Sequence, residues 1–295
     1  MENYMKSTVK TFKQTDGYKQ HYRVWEKKRN EDVVVLLHGG ISHSEWQAPL
    51  ATHLIANAEL SFVALDRRGS GLNKVERGNL VSKDREIKDV VDFLKKLRED
   101  YKYIHLAGWC FGGQVATVIA AELEKEDILT SFSMIAPGFS YTERYSDVLK
   151  MSNHTASEIV KEFNLKPEKS YPYVPVPLQP IDFTEQESFH HFIKSDPLCL
   201  QNVSERTYEV WYELAELAIN SLSSISTPPT LVIFGANDRL VDNKKVETLI
   251  RNNIKTDYLK FESVDAGHAI QFDEPEKLAK LLSSFVIDSS RRVLN

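Results

Sequence analysis

Three residues of this chain have the types and surroundings that nucleophilic acyl chemistry needs. Cys110 lies in Gly108-Trp109-Cys110-Phe111-Gly112, between an apolar run ending at Ala107 and an alanine-rich stretch that follows Phe111. This is the spacing of a nucleophile elbow, Gly-x-Ser-x-Gly, with cysteine in the serine position. A strand-to-helix turn this tight holds its central residue in a strained backbone conformation with the side chain exposed. The flanking glycines leave room where any Cβ would collide with the neighbouring strand and helix. Backbone N–H groups at the helix start then point at the reacting centre and favour a thiolate.

Asp238 follows the strand-like run Thr230–Phe234 through a Gly-Ala-Asn turn, at the carboxyl end where open parallel sheets place functional groups. His268 follows the run Tyr258–Val264 in Asp265-Ala266-Gly267-His268. A histidine beside glycine, just past a strand and before a helix, suits a general base. Cys110, Asp238 and His268 thus form a candidate nucleophile, acid and base. The run Val33–Leu37 leads into His38-Gly39-Gly40, and the loop after that strand can bring a backbone N–H beside the elbow. The N–H groups of Gly40 and Phe111 are the expected oxyanion-hole donors, with His38 orienting the loop.

The competing residues read more plainly. Asp242, four residues beyond Asp238, has the place of a helix cap. Asp265 reads as a solvated strand-end residue and Cys199 as a packing or loop residue. His190 and His191 are adjacent, so on a helix they face different directions and make a solvated pair rather than a metal site. Trp109 and Phe111 suit either an acyl pocket or the core; Phe189, Phe192 and Trp211 read as core. No phosphate loop, dinucleotide fingerprint or metal motif occurs, so no cofactor and no metal are expected.

The elements that must position these residues follow from hydrophobic periodicity. A hairpin is expected over the first 26 residues around Asp16-Gly17, a strong turn pair. Strands are expected at Val33–Leu37, Ser61–Leu65, Tyr103–Ala107, Thr130–Ile135, Thr230–Phe234 and Tyr258–Val264, several of them continuously apolar, as in strands covered on both faces. Helix-period segments separate them, one through Ile87, Val90, Val91, Leu94 and Leu97, and a last one from Pro275 through Leu278, Leu282 and Phe285. Strand and helix in alternation imply an α/β fold with a mainly parallel sheet covered on both faces. The alternation breaks between Gly138 and Thr227. There a proline-rich run, Ser170–Pro180, forces an extended path, and helical patterns surround it at Ile159, Val160 and Phe163, at Phe189 to Ile193, and at Tyr208 to Leu222. Residues 1–137 and 228–295 are therefore expected to form the core, and 138–227 an inserted helical cap.

Composition bounds the rest. The chain has 295 residues, 42% hydrophobic and 27% charged, with a formal net charge of −5 and no long block of like charge. That is a globular balance, and it argues against a nucleic-acid or anionic-membrane surface. No apolar run approaches the roughly 20 residues of a transmembrane segment, and the opening residues show no secretory signal. The expected location is cytoplasmic, with Cys110 and Cys199 both reduced.

These motifs together resemble an α/β-hydrolase. Within that superfamily the chain is similar to the monoacylglycerol lipase and lysophospholipase-like group, through His38-Gly39-Gly40, Asp66-Arg67-Arg68-Gly69-Ser70-Gly71, the Gly108–Gly113 elbow, Phe234–Leu240 and Gly267-His268. The resemblance implies that Cys110, Asp238 and His268 are a triad, and that Asp66–Gly71 is a structural turn near the site. Most of that group carries serine at the elbow. A cysteine there resembles dienelactone hydrolases, bacterial polyester synthases and some natural-product thioesterases, but the cap argues against the first and the short chain against the second. The expected activity is acyl transfer through a Cys110 thioester. A hydrolase comes first, an esterase or thioesterase acting on a small acyl ester or thioester, free or bound to coenzyme A or a carrier protein. An acyltransferase using an amine, alcohol or thiol acceptor, in natural-product or lipid metabolism, is the second reading. A non-catalytic small-molecule receptor is a third, disfavoured because all three triad positions are kept.

Overall fold

The computed structural model describes residues 3–28, 30–143 and 173–293. Eight strands form one sheet: β1 (Thr8–Lys13), β2 (Lys19–Trp25), β3 (Asp32–Leu37), β4 (Ser61–Leu65), β5 (Tyr103–Trp109), β6 (Leu129–Ile135), β9 (Thr230–Gly235) and β10 (Leu259–Val264). Their spatial order is β1-β2-β4-β3-β5-β6-β9-β10. The first two are the expected hairpin, turning at Gly17 with φ +88°. From β4 to β10 every neighbouring pair is parallel, so all the crossovers leave from the same end of the sheet.

Strands β3, β4 and β5 are buried along nearly their whole length, which is why their sequences carry no polar alternation. The helices α1 (Ala48–Asn57), α2 (Lys83–Leu97) and α3 (Phe111–Glu122) follow β3, β4 and β5 in turn. Helix α3 is apolar on all sides and buried through Ala120, as a helix must be when it packs on the sheet and under another layer. Strand β5 runs two residues beyond the expected end at Ala107, because Gly108 and Trp109 still pair with Leu37, Met134 and Ile135.

The order β4-β3-β5 contains the reversal on which the site depends. The chain leaves β3 for β4 on one side and returns to β5 on the other. The loops after β3 and β5 therefore diverge around a crevice, where open α/β sheets bind ligands.

Between β6 and β9 the described residues contain β7 (Tyr173–Pro175) and β8 (Asn202–Ser204), and the helices α4 (Pro180–Phe183), α5 (Glu187–Ser195) and α6 (Glu205–Ser221). The pair β7 and β8 forms a separate antiparallel sheet that periodicity did not indicate, since three-residue strands are too short to show it. The expected helical pattern at Ile159, Val160 and Phe163 and the start of the proline-rich run lie outside the described residues. Helix α5 carries Phe189 and Ile193 on its buried face, and α6 carries Tyr208, Trp211 and Leu214. This segment is tied to the loop after β3: the Asp196 carboxylate accepts from His43 Nε2 and Trp46 Nε1, each at 2.7 Å. After β9 come α7 (Asn243–Asn253), α8 (Ile270–Asp273) and α9 (Pro275–Val293). Among the described residues no helix is long and apolar enough to cross a membrane.

Asp66, at the end of β4, organises the turn that follows. It is fully buried and accepts from the N–H groups of Ser44 at 2.7 Å and Leu72 at 3.0 Å. Gly71 passes it at φ +56°, where a Cβ would lie 2.4 Å from the carboxylate. Asp66→Ala should strand two buried donors and lower unfolding free energy by about 2–4 kcal/mol, read by urea denaturation.

Candidate active site

Cys110 is the N-cap residue of α3 and has φ +56° and ψ −123°. A non-glycine residue in that region is strained, and the surrounding backbone holds it there. Its N–H donates to Ile135 at 3.0 Å, and its carbonyl accepts from Gly113 at 2.9 Å and Gly138 at 3.2 Å. A Cβ on Gly108 would lie 2.2 Å from the Gly112 carbonyl oxygen, and one on Gly112 would lie 2.0 Å from that of Leu37. The glycine spacing of the elbow thus has a direct steric cause.

The loop after β3 lies against this turn. A Cβ on Gly39 would come within 3.3 Å of Cys110 Cβ and 3.2 Å of the Trp109 ring. Neither the Gly40 nor the Phe111 N–H has a backbone acceptor among the described residues. The loop is held from behind. Arg67 donates to the carbonyls of Gly39 at 2.8 Å and Gly40 at 3.3 Å and to Glu86 at 3.2 Å, and its guanidinium lies 4.9 Å from the Phe111 ring centre. His38 Nδ1 meets the Gly39 carbonyl at 2.8 Å, while its Nε2 accepts from the Arg67 N–H at 3.1 Å. That pairing fits only the neutral ring protonated on Nδ1. Burial first, and then the Arg67 charge, hold its pKa well below the usual value.

Asp238 and His268 meet across the ends of β9 and β10. His268 Nδ1 lies 2.7 Å from Asp238 Oδ2, and both side chains are fully buried. The second carboxylate oxygen accepts from the N–H groups of Leu240 at 2.8 Å and Val241 at 2.9 Å. These donors fix the orientation of the carboxylate. The other imidazole nitrogen, Nε2, is buried on the Cys110 side and makes no hydrogen bond among the described residues. Burial alone would favour the neutral ring. The Asp238 carboxylate and the Cys110 sulfur outweigh it and push the imidazole up to about 10.

Trp109 packs in the core beside His268. It is buried, its indole N–H donates to the His268 carbonyl at 3.0 Å, and its ring centre is 5.5 Å from the imidazole. Phe111 is buried against Trp211, 5.7 Å between centres, and Phe189 stacks on Phe272 at 4.3 Å. The rivals keep to their plainer roles. Asp242 caps α7 through the Lys245 N–H, and Asp265 is exposed and accepts from Asn237. Cys199 is buried, which pushes its thiol up to about 12. His191 is exposed, and the partly buried His190 also bonds the Thr184 carbonyl at the end of α4 through Nε2. Among the described residues no cluster could hold a metal ion.

Sequence reasoning missed two groups: the Trp109 brace on His268 and the Arg67 grip on Gly39 and Gly40. Arg67 stood in a motif read only as a turn.

Gly112→Ala should cost on the order of 4 kcal/mol or more, or prevent folding, as seen in thermal unfolding and soluble yield. Trp109→Phe should leave the fold intact and cost about 1–2 kcal/mol through the lost N–H donor.

Known proteins share this fold. The profile of the family described as "Serine aminopeptidase, S33" (Hydrolase_4) matches residues 28–275. Monoacylglycerol lipase ABHD6 from Bos taurus is 24% identical over 287 residues, covering 92% of this chain and 80% of that protein. A soluble variant of monoglyceride lipase from Saccharomyces cerevisiae, solved with a substrate analog, superposes with a TM-score of 0.76 at 17% identity, covering 97% of this chain and 96% of that one. Monoacylglycerol lipase from Paleococcus ferrophilus gives 0.71 at 18% identity, covering 97% and 100%. The chain has the α/β-hydrolase fold and belongs to the serine aminopeptidase S33 family, with cysteine at the centre of its elbow.

Proposed function

We propose that the protein hydrolyses acyl esters of lipid type through a thioester on Cys110, with His268 as base and Asp238 as its anchor. The observation that carries this reading is the bond of 2.7 Å between His268 and Asp238, with the opposite imidazole nitrogen buried on the side of a cysteine held at φ +56°. The lipid ester class rests on the likeness to monoacylglycerol lipases, and the apolar residues above the site suit it. Phe183 packs on Trp109 and His268, and Trp211 lies against Gly40. These residues belong to the segment 138–227, which acts as a cap over the acyl group.

In this mechanism the raised imidazole keeps its proton through neutral pH and stands ready as the acid of the first step. The sulfur attacks the ester carbonyl, and the developing oxyanion takes the N–H groups of Gly40 and Phe111. His268 Nε2 gives its proton to the departing alcohol. It then takes one from water as the oxygen attacks the thioester, and the sulfur leaves as thiolate. The neutral ring protonated only on Nδ1 needs an acceptor there, which Asp238 supplies.

Incubation with a monoacylglycerol, an acyl thioester and candidate acceptors, followed by intact-mass spectrometry, tests the reading. Turnover with water and a transient adduct on Cys110 are expected. An adduct that persists until an amine, alcohol or thiol is added would instead establish an acyltransferase. Cys110→Ala should lower kcat by about 10⁶-fold while Cys110→Ser keeps partial esterase activity; full activity in the alanine variant would exclude the mechanism.

The pH dependence has a definite sign. The folded-state imidazole titrates above its ordinary 6.5, so the imidazolium is complete below 6.5 and is lost as pH rises through about 10. Asp238→Asn removes the charge that holds it, so the alkaline limb of kcat/KM should move down toward the ordinary histidine range. The rate should fall by up to roughly 10⁴-fold, as in a serine triad.

A further inference from the structure

Cys110 has a second polar neighbour besides His268. Tyr141 lies just past β6, and its backbone forms an antiparallel bridge with Val241. On either side, Thr142 donates to the Leu240 carbonyl at 2.8 Å and Asp242 donates to the Ser140 carbonyl at 2.9 Å. Tyr141 is therefore fixed by the same loop that carries Asp238. Its hydroxyl is pressed against Gly138, where a Cβ would lie 2.2 Å from the phenol oxygen and 3.6 Å from the Cys110 carbonyl carbon. Gly138 is itself bonded to the Cys110 carbonyl at 3.2 Å, and the Gln114 amide grips the Gly138 carbonyl. This clamp holds the hydroxyl beside the turn that carries Cys110.

We propose that the Tyr141 hydroxyl donates a hydrogen bond to the Cys110 sulfur whenever that sulfur is anionic, positioning the nucleophile and easing its departure from the acyl-enzyme. Tyr141 is thus a positioning residue, and the proposal rests on Cys110 being the nucleophile. Three groups set its behaviour: Cys110, which it faces, and Asp238 and His268 behind that sulfur. Burial first, then the negative charges at Cys110 and Asp238 and the bond to Cys110, hold the phenol well above its ordinary value, so it stays an O–H donor. A hydrogen bond to an ionised acceptor is roughly twice as strong as a neutral one, so the bond is tight with thiolate and weak with thioester. In the second step the water oxygen bonds the acyl carbon, the C–S bond breaks, and its electron pair goes to sulfur. The water proton goes to His268 Nε2. Tyr141 keeps its own proton and receives the sulfur as thiolate.

The test reads the thiol directly. Cys110 is alkylated with iodoacetamide across a pH series, with the adduct followed by intact-mass spectrometry. In Tyr141→Phe the thiolate midpoint should rise by about one pH unit, with alkylation about tenfold slower below it. Acyl-Cys110 should also accumulate during turnover. Placing 3-fluorotyrosine at 141 keeps the shape, sharpens the donor and should move the midpoint down. Profiles that superimpose on the natural one in both variants would overturn the proposal. In the same series, an ordinary thiol profile in the natural protein that ignores His268→Ala would remove the nucleophile reading itself.

Discussion

The first turn of α3 rests on bare backbone. Where Gly112 passes the carbonyl oxygens of Leu37 and His38, a Cβ would stand 2.0 and 2.6 Å from them, so no side chain fits between the helix and the end of β3. This approach sets the rest of the site. It forces the chain between β5 and α3 through a turn too sharp for ordinary φ, and Cys110 takes the strain. It also brings the loop after β3 against that turn, so that Gly39 meets Cys110 and Trp109. The sheet order makes the approach possible, because the loops after β3 and β5 leave adjacent strands at the reversal of direction.

A second layer of polar groups holds the loop in place. Arg67 is buried with its charge facing Glu86 and two backbone carbonyls, and burial raises the Glu86 carboxyl pKa despite the arginine. A buried pair of this kind adds little net stability, because desolvation offsets the attraction. What it adds is direction: two carbonyls turned inward toward a guanidinium leave the following N–H groups free to face the crevice. Arg68 serves similarly one residue on, joining Asp89 on α2 to Asp16 in the hairpin turn.

The parallel core and the three residues of the candidate site were legible because each is locally encoded. Continuous apolar runs mark doubly covered strands, and Gly108 and Gly112 mark the elbow at fixed spacing. The distinction between Asp238 and Asp242 was also local, since one follows the turn and the other starts a helix. The unread features depend on distant partners. Whether Trp109 lined a pocket or braced a histidine depended on a carbonyl 159 residues away. Tyr141 comes to lie against Gly138, beside the elbow, through the bridge between the loops after β6 and β9. The short pair β7 and β8 had no periodicity to display, and His190 is bonded through a carbonyl that no side-chain pattern could reveal.

The elbow constrains residue 110 through its backbone alone. The glycine contacts, the positive φ and the three main-chain hydrogen bonds would be identical for any small side chain. The fold therefore selects a position in space and leaves the reacting element as a separate variable. In a family named for serine, one atom could change from oxygen to sulfur without a compensating shift in any strand or helix. Lineages on this scaffold can thus alter leaving-group chemistry by a single substitution, while the machinery that aims the attack is inherited whole.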